Sequence, residues 1–231
     1  MYTLYYAPDN ASLIIRLVLE ELALPYRTEL VDRRINAQRS AGYLALNPAG
    51  QIPTLITPEG PISETAAILL WLADTHGRMA PRADDPARGA FLKWLFFTSN
   101  TIQANLRANF YPWRYVGDDV LAQRQLRRYI QNELSHAIGL LEDVAANQPS
   151  WLGGGEVSVL DYYLACCLRW CGLYPSEDHD WFTLTEYPCL ASTLDRLQQR
   201  PAVLAAIAAE GLGEQPFTAP QVSNPPEGSA L

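Results

Sequence analysis

Gln51-Ile52-Pro53 places a proline at the entry to an apolar run, Thr54-Leu55-Ile56. Proline cannot donate to a β-ladder, so it belongs at an edge or a special turn. A trans bond is the commonest state of any X–Pro pair. The functional alternative is a cis proline that exposes the backbone of Ile52, whose N–H and C=O could then pair with a peptide in antiparallel fashion. Downstream, Ser63-Glu64-Thr65 opens an apolar stretch that reads as a helix. This is either a plain N-cap or an anion site as well, because a helix start offers free N–H groups and a positive dipole end. Thr65 adds a hydroxyl and Glu64 could accept an ammonium. A carboxylate acceptor beside a carboxylate pocket suits the α-amino-acid end of a peptide.

Ser12 stands at the start of the first helix, after Pro8-Asp9-Asn10-Ala11. It reads as an N-cap or as a donor to a thiolate at the helix end, where its hydroxyl could point outward. A free thiol has a pKa near 8.5, and lowering it two units takes about 2.7 kcal/mol of preferential thiolate stabilisation. A hydroxyl and a helix N-terminus can each supply part of that. Tyr6, at the end of the first strand, is the rival donor or else a buried strand aromatic. Arg33, Arg34 and Arg39, with Gln38, form a basic cluster, which is a solvated loop or a dock for a second carboxylate at the far end of the ligand.

Around these residues the chain is acidic, with 25 acids against 17 bases and a net charge of −8. Such a surface repels polyanions, so nucleic acid and anionic membranes are excluded as expected partners. Apolar residues make up 48% and charged ones 18%, the composition of a packed protein rather than a disordered one. No apolar run reaches membrane-spanning length, and Met1-Tyr2-Thr3-Leu4-Tyr5 lacks the basic region of a signal peptide, so a cytoplasmic location is expected. Cys166, Cys167, Cys171 and Cys189 make no C-x-x-C pair. They are expected to be reduced and mostly buried, with no metal site.

The elements that must position the site are legible in outline. Strands are predicted at 3–6, 26–31, 53–56 and near Ile62, and helices at 12–24 and 66–75. An irregular basic stretch is expected at 33–43, and a linker rich in Gly and Pro at 77–86. Beyond it the patterns are helical: 87–109, 120–146 with Leu121, Ile130, Leu134, Ile138 and Leu141 at helical spacing, 158–172, 189–199 and 201–210. This segregation predicts an α+β front domain over 1–80, an all-helical domain over 87–212, and an extended or disordered tail over 213–231.

The ordered set of motifs resembles the cytosolic glutathione transferase superfamily. It comprises a first strand, a turn with Ser12, Asn47-Pro48-Ala49-Gly50-Gln51-Ile52-Pro53-Thr54-Leu55, Ile62-Ser63-Glu64-Thr65-Ala66-Ala67-Ile68 and the capping sequence Ser158-Val159-Leu160-Asp161. The resemblance covers roughly residues 1 to 210. It implies a thioredoxin-like front domain, a helical-bundle back domain and a homodimer. Glutathione would be the co-substrate, with the cysteinyl backbone at Gln51-Ile52, Pro53 in the cis form, the γ-glutamyl end at Glu64 and Thr65, and Arg39 toward the far carboxylate. Asp161 would cap a helix and serve folding. Many bacterial members of the beta class carry a cysteine where this chain has Ala11, which disfavours cysteine-based redox chemistry. That leaves Ser12 first and Tyr6 second as thiolate donors. Phe110, Tyr111 and Tyr115 are either interface packing or a wall for an apolar electrophile. The implied activity is glutathione conjugation. A non-catalytic binding or scaffold protein is the alternative, as is a glutathione-dependent isomerase, dehalogenase or peroxidase.

Overall fold

The computed structural model describes residues 1–229. Strand β1 (Tyr2–Tyr6) lies inside a four-stranded sheet of order β2-β1-β3-β4. It runs parallel to β2 (Tyr26–Leu30) and antiparallel to β3 (Thr54–Thr57), which pairs antiparallel with β4 (Gly60–Ser63). Helix α1 (Ser12–Glu21) makes the crossover that two parallel neighbours require. Its residues from Ser12 to Leu19 are all buried, because the helix is apolar nearly all round. It ends at Glu21 rather than at residue 24, since Ala23 turns to φ 53°. The basic stretch becomes two 3₁₀ turns hinged on Asn36 at φ 55°, followed by α2 (Ala41–Leu46). Helix α3 (Thr65–His76) completes this part and is capped by Gly77 at φ 62°.

Every later element is helical: α4 (Arg88–Phe97), α5 (Ala104–Phe110), α6 (Trp113–Val116), α7 (Val120–Ala146), α8 (Val159–Cys171), α9 (Pro188–Gln198) and α10 (Pro201–Glu210). The α+β class with a thioredoxin-like front and a helical back is the observed architecture. The single long helix expected over 87–109 is interrupted by a π-helical segment, Thr98–Gln103, between α4 and α5. Such insertions widen a helix locally and often sit at functional places.

Helix α8 is the axis of the helical half, with every residue buried. Its start is a complete capping box. Ser158 Oγ accepts from the amides of Leu160 and Asp161, and Asp161 Oδ2 accepts from the Ser158 amide at 2.8 Å. Such a cap contributes about 1 kcal/mol. Burial pushes the Asp161 carboxyl up to about 6, against the pull of the Gly153 and Ser158 amides. The thiols of Cys166, Cys167 and Cys171 are buried on the same helix, and burial pushes them up. In α7, Ile130, Leu134, Ile138 and Leu141 enter the core as their spacing predicts. Leu121 instead stays 65% exposed, because the first turns of this long helix run past the bundle.

Of the tail expected over 213–231, residues 213–229 form no helix or strand but are not loose, and 230 and 231 lie outside the described residues. Phe217 is buried, and Arg169 of α8 donates to the carbonyls of Pro216 at 2.9 Å and Gln221 at 2.8 Å. Gly228 lies against Leu30 and Pro8. No helix among the described residues is long and apolar enough to cross a membrane.

Candidate functional site

Sheet register brings three distant segments to one edge. Tyr5 on β1 pairs with Thr54 on β3, and Thr54 pairs with Ser63 on β4. The chain leaving β1 after Tyr6, the chain entering β3 through Gln51-Ile52-Pro53, and the chain leaving β4 into Glu64-Thr65 therefore emerge side by side.

The Ile52–Pro53 peptide is cis, as the resemblance implied. Neither the amide nor the carbonyl of Ile52 is paired within the described chain, although the residue is half-buried beside a sheet. Unpaired backbone next to a strand is a ready template for an extended peptide. The segment is held in place through the preceding residue: the Gln51 carbonyl accepts from Tyr43 Oη at 2.6 Å and Asn47 Nδ2 at 2.9 Å. Gly50 has φ 60°, and a side chain there would strike Arg39, Gln38 and Leu44. The exposed Arg39 guanidinium thus lies directly against the turn that leads into Ile52.

Glu64 is exposed at the mouth of α3 with φ 69° and ψ 114°, and its carboxylate caps nothing. A non-glycine residue held at such a φ costs of order 1–3 kcal/mol and persists where the surroundings demand it. It is therefore no ordinary N-cap. Thr65 begins the helix with its hydroxyl unpaired among the described residues. Behind them stands Tyr163 of α8, whose hydroxyl donates to Gln103 of the π-helical segment. Burial pushes this phenol up, and the Glu64 carboxylate acts in the same direction. Nothing in the sequence pattern singled out Tyr163.

Both candidate thiolate donors are already engaged. Ser12 is fully buried, donating to the Ala7 carbonyl at 3.0 Å and accepting from the Ala7 amide at 3.2 Å. Its hydroxyl does not point out of the helix end as expected, because two backbone partners turn it inward. Tyr6 is buried and donates to Glu227 Oε1 at 2.5 Å, with the Arg16 guanidinium 4.9 Å over its ring. Burial and the Glu227 carboxylate push it well above the ordinary phenol range. Its charged neighbours are Arg16, Glu210 and Glu227, on the opposite flank of α1 from Glu64. The side chain left over at the turn is Asn10, half-buried, whose Oδ1 accepts from the Ala11 amide at 2.9 Å. Its NH₂ remains a donor without a partner among the described residues. The sequence pattern gave Asn10 no role.

The basic cluster divides by role. Arg34 folds onto Asp32 at 2.7 Å, and Arg33 reaches Tyr111 Oη at 3.0 Å, closing the front-domain loop onto the helical half. Arg39 makes no ion pair among the described residues. Phe110 and Tyr111 stand edge-to-face at 6.3 Å, Phe110 does the same with Tyr174 at 6.0 Å, and Tyr174 Oη reaches Asp9 of the turn at 3.1 Å. This wall adjoins the β1–α1 turn. Tyr115 is 54% exposed on α6, and none of its contacts links it to the turn.

Residues 11–75 match the family model described as glutathione S-transferase, N-terminal domain, and residues 118–209 the corresponding C-terminal domain. The chain is 36% identical over 192 residues to the glutathione S-transferase GstB of Escherichia coli K12, covering 82% of this chain and 88% of that one. Among solved structures it is similar to a glutathione transferase from Methylococcus capsulatus at 32% identity and TM-score 0.74, over 91% of this chain and 99% of that one. It is also similar to one from Burkholderia graminis with two glutathione molecules bound per subunit, at 26% identity and TM-score 0.77, over 92% and 89%.

Proposed function

The chain belongs to the glutathione S-transferase family and is a glutathione transferase at that level, and from this premise we propose how its own residues bind glutathione and activate the thiol. The cysteinyl unit pairs with the free amide and carbonyl of Ile52. The γ-glutamyl end sits at the mouth of α3, with its ammonium on Glu64 and its carboxylate on the Thr65 hydroxyl and the helix N–H groups. The glycine carboxylate extends toward Arg39. The unpaired backbone of Ile52, emerging beside the strained Glu64, is the observation that carries this reading. The Burkholderia graminis relative holds glutathione, which supports it.

In this pose the sulfur lies at the start of α1. The thiol proton leaves to solvent, and the thiolate is stabilised by the helix N–H groups and the Asn10 carboxamide. Ser12 contributes by bracing the turn through Ala7, and Tyr6 stays with Glu227. Thiolate sulfur then attacks an electrophilic carbon held against Phe110 and Tyr111, with Tyr115 farther out. A C–S bond forms as the leaving group departs. Activation rests on the lowered thiol pKa and on proximity. A homodimer acting in the cytoplasm on a small apolar electrophile completes the proposal.

Calorimetry with glutathione and with S-methylglutathione tests the site, and near-ultraviolet thiolate absorbance in the complex tests activation. Turnover of a panel of aryl halides, epoxides and peroxides then separates conjugation from peroxidase chemistry. Binding without a lowered thiol pKa would indicate a binding protein of the same fold, and no heat at millimolar glutathione would overturn the reading. Asn10→Ala should raise the bound-thiol pKa more than Tyr6→Phe does. The reverse ranking would return the donor role to the tyrosine.

A further inference from the structure

The β1–α1 turn is braced from behind. Asp9 stands at its tip with φ 47°, in the left-handed region that Asp enters more readily than most side chains. Its buried carboxylate receives a donor at every lone-pair position. Arg169 Nε reaches Oδ1 and Nη2 reaches Oδ2, both at 2.9 Å; Trp170 Nε1 reaches Oδ1 at 2.9 Å, and Tyr174 Oη reaches Oδ2 at 3.1 Å. The Asp9 amide donates to Glu210 Oε2 at 2.8 Å, and Arg16 holds Glu210 Oε1 at 2.6 Å. All the donors to the carboxylate come from α8 and the residues just after it. Asn10, Ala11 and Ser12 follow Asp9 immediately.

We propose that Asp9 is a positioning residue for thiol activation. Clamped by Arg169, Trp170 and Tyr174, it sets where the Asn10 carboxamide and the first N–H groups of α1 stand relative to the glutathione sulfur. The proposal rests on the glutathione reading above. Stability alone does not call for this arrangement, since apolar residues of similar volume often replace a buried ion pair without loss. A bidentate guanidinium with an indole and a phenol fixes the carboxylate in every direction. It does so at the one turn that activation needs held to within about half an ångström. Charge fits as well: a bare carboxylate behind the turn would oppose a thiolate, and Arg169 neutralises it.

Two variants leave the net charge unchanged. Tyr174→Phe removes a single donor to Asp9, and Asp9→Asn with Arg169→Gln replaces the ion pair by amides. For each, calorimetry gives the affinity for S-methylglutathione, which has no thiol to ionise, and thiolate absorbance gives the pKa of bound glutathione. The affinity should stay within about twofold of the parent, while the bound-thiol pKa rises by about half a unit in the single variant and about one unit in the double. The kcat near pH 6.5 should fall about threefold and about tenfold respectively, with the glutathione KM little changed. An unchanged thiol pKa overturns the proposal, as does a loss of S-methylglutathione affinity in step with the pKa. If the double variant does not fold, Tyr174→Phe decides alone. A failure of the underlying reading shows in the parent protein, which would then bind no glutathione or leave its thiol pKa unlowered.

Discussion

The two flanks of α1 treat their polar groups in opposite ways. Toward β3 and β4, the Ile52 backbone, the Glu64 carboxylate and the Thr65 hydroxyl are left without partners among the described residues, and Glu64 sits in a strained conformation. Toward α10 and the tail, Tyr6, Asp9, Arg16, Arg169, Glu210 and Glu227 are engaged with one another or with backbone, as Ser12 is with Ala7. A polar residue at the right place in the sequence is a ligand group only if the fold leaves it unspent. In the proposed reading the unspent flank binds, and the saturated flank holds the binding surface still.

Breaking the saturated flank should have the largest effect. Arg169→Met leaves the Asp9 carboxylate buried without its cation, and a loss of about 3–5 kcal/mol is expected in urea unfolding. A loss below about 1 kcal/mol would mean that the network is not closed as described. On the open flank, Glu64→Gly should act with opposite signs on stability and binding. Relief of the backbone raises stability by about 1 kcal/mol, while loss of the carboxylate weakens glutathione about tenfold. Thermal melts and calorimetry on the same sample read both, and a variant that is less stable would remove Glu64 from the strained, functional class. Ser12→Ala sharpens the contrast further. With both Ala7 backbone bonds lost, it should cost about 1–2 kcal/mol of stability, and direct donation to the thiolate predicts instead a stable variant with a raised thiol pKa.

The smallest effect is a pH dependence at the far end of α1. The hydrogen bonds from Arg200 hold the Glu21 carboxyl below its ordinary 4.5, against burial and with help from Tyr162. A depressed carboxylate contributes stability that is present above its unfolded pKa and is lost as pH falls through the folded one. The stability difference between the parent and Arg200→Gln should therefore be flat above about pH 5 and shrink below about pH 4. Because Glu21 is only partly buried, the full difference should stay near or below about 1 kcal/mol. A difference that grows on acidification would contradict the pairing.

The open flank was legible in sequence because its signals are local. A proline at a strand entry, a polar triplet before a helix and a glycine ahead of Gln51 each declare a backbone requirement. The saturated flank was not legible. Asp9 and Arg169 are 160 positions apart, and Tyr6 and Glu227 are 221 apart, and no periodicity reports such pairs. The direction of the Ser12 hydroxyl depends on the course of Ala7 and was equally hidden. One clue was available: Arg169 is the only basic residue of α8, a helix buried throughout. A lone cation there demands an anion, and Asp9 meets that demand.

The tail gives these long-range pairs a meaning in time. Chains are made from the N-terminus, so the β1–α1 turn leaves the ribosome well before the tail that braces it. Its bracing is completed only when residues near 216, 221 and 227 have followed, because Arg169 hands its remaining donors to Pro216 and Gln221, and Tyr6 waits for Glu227. A product that stopped at residue 212 would keep the whole open flank but would leave buried guanidinium donors without acceptors. The tail is in that sense part of the core it closes, and the turn it braces is finished from the other end of the described chain.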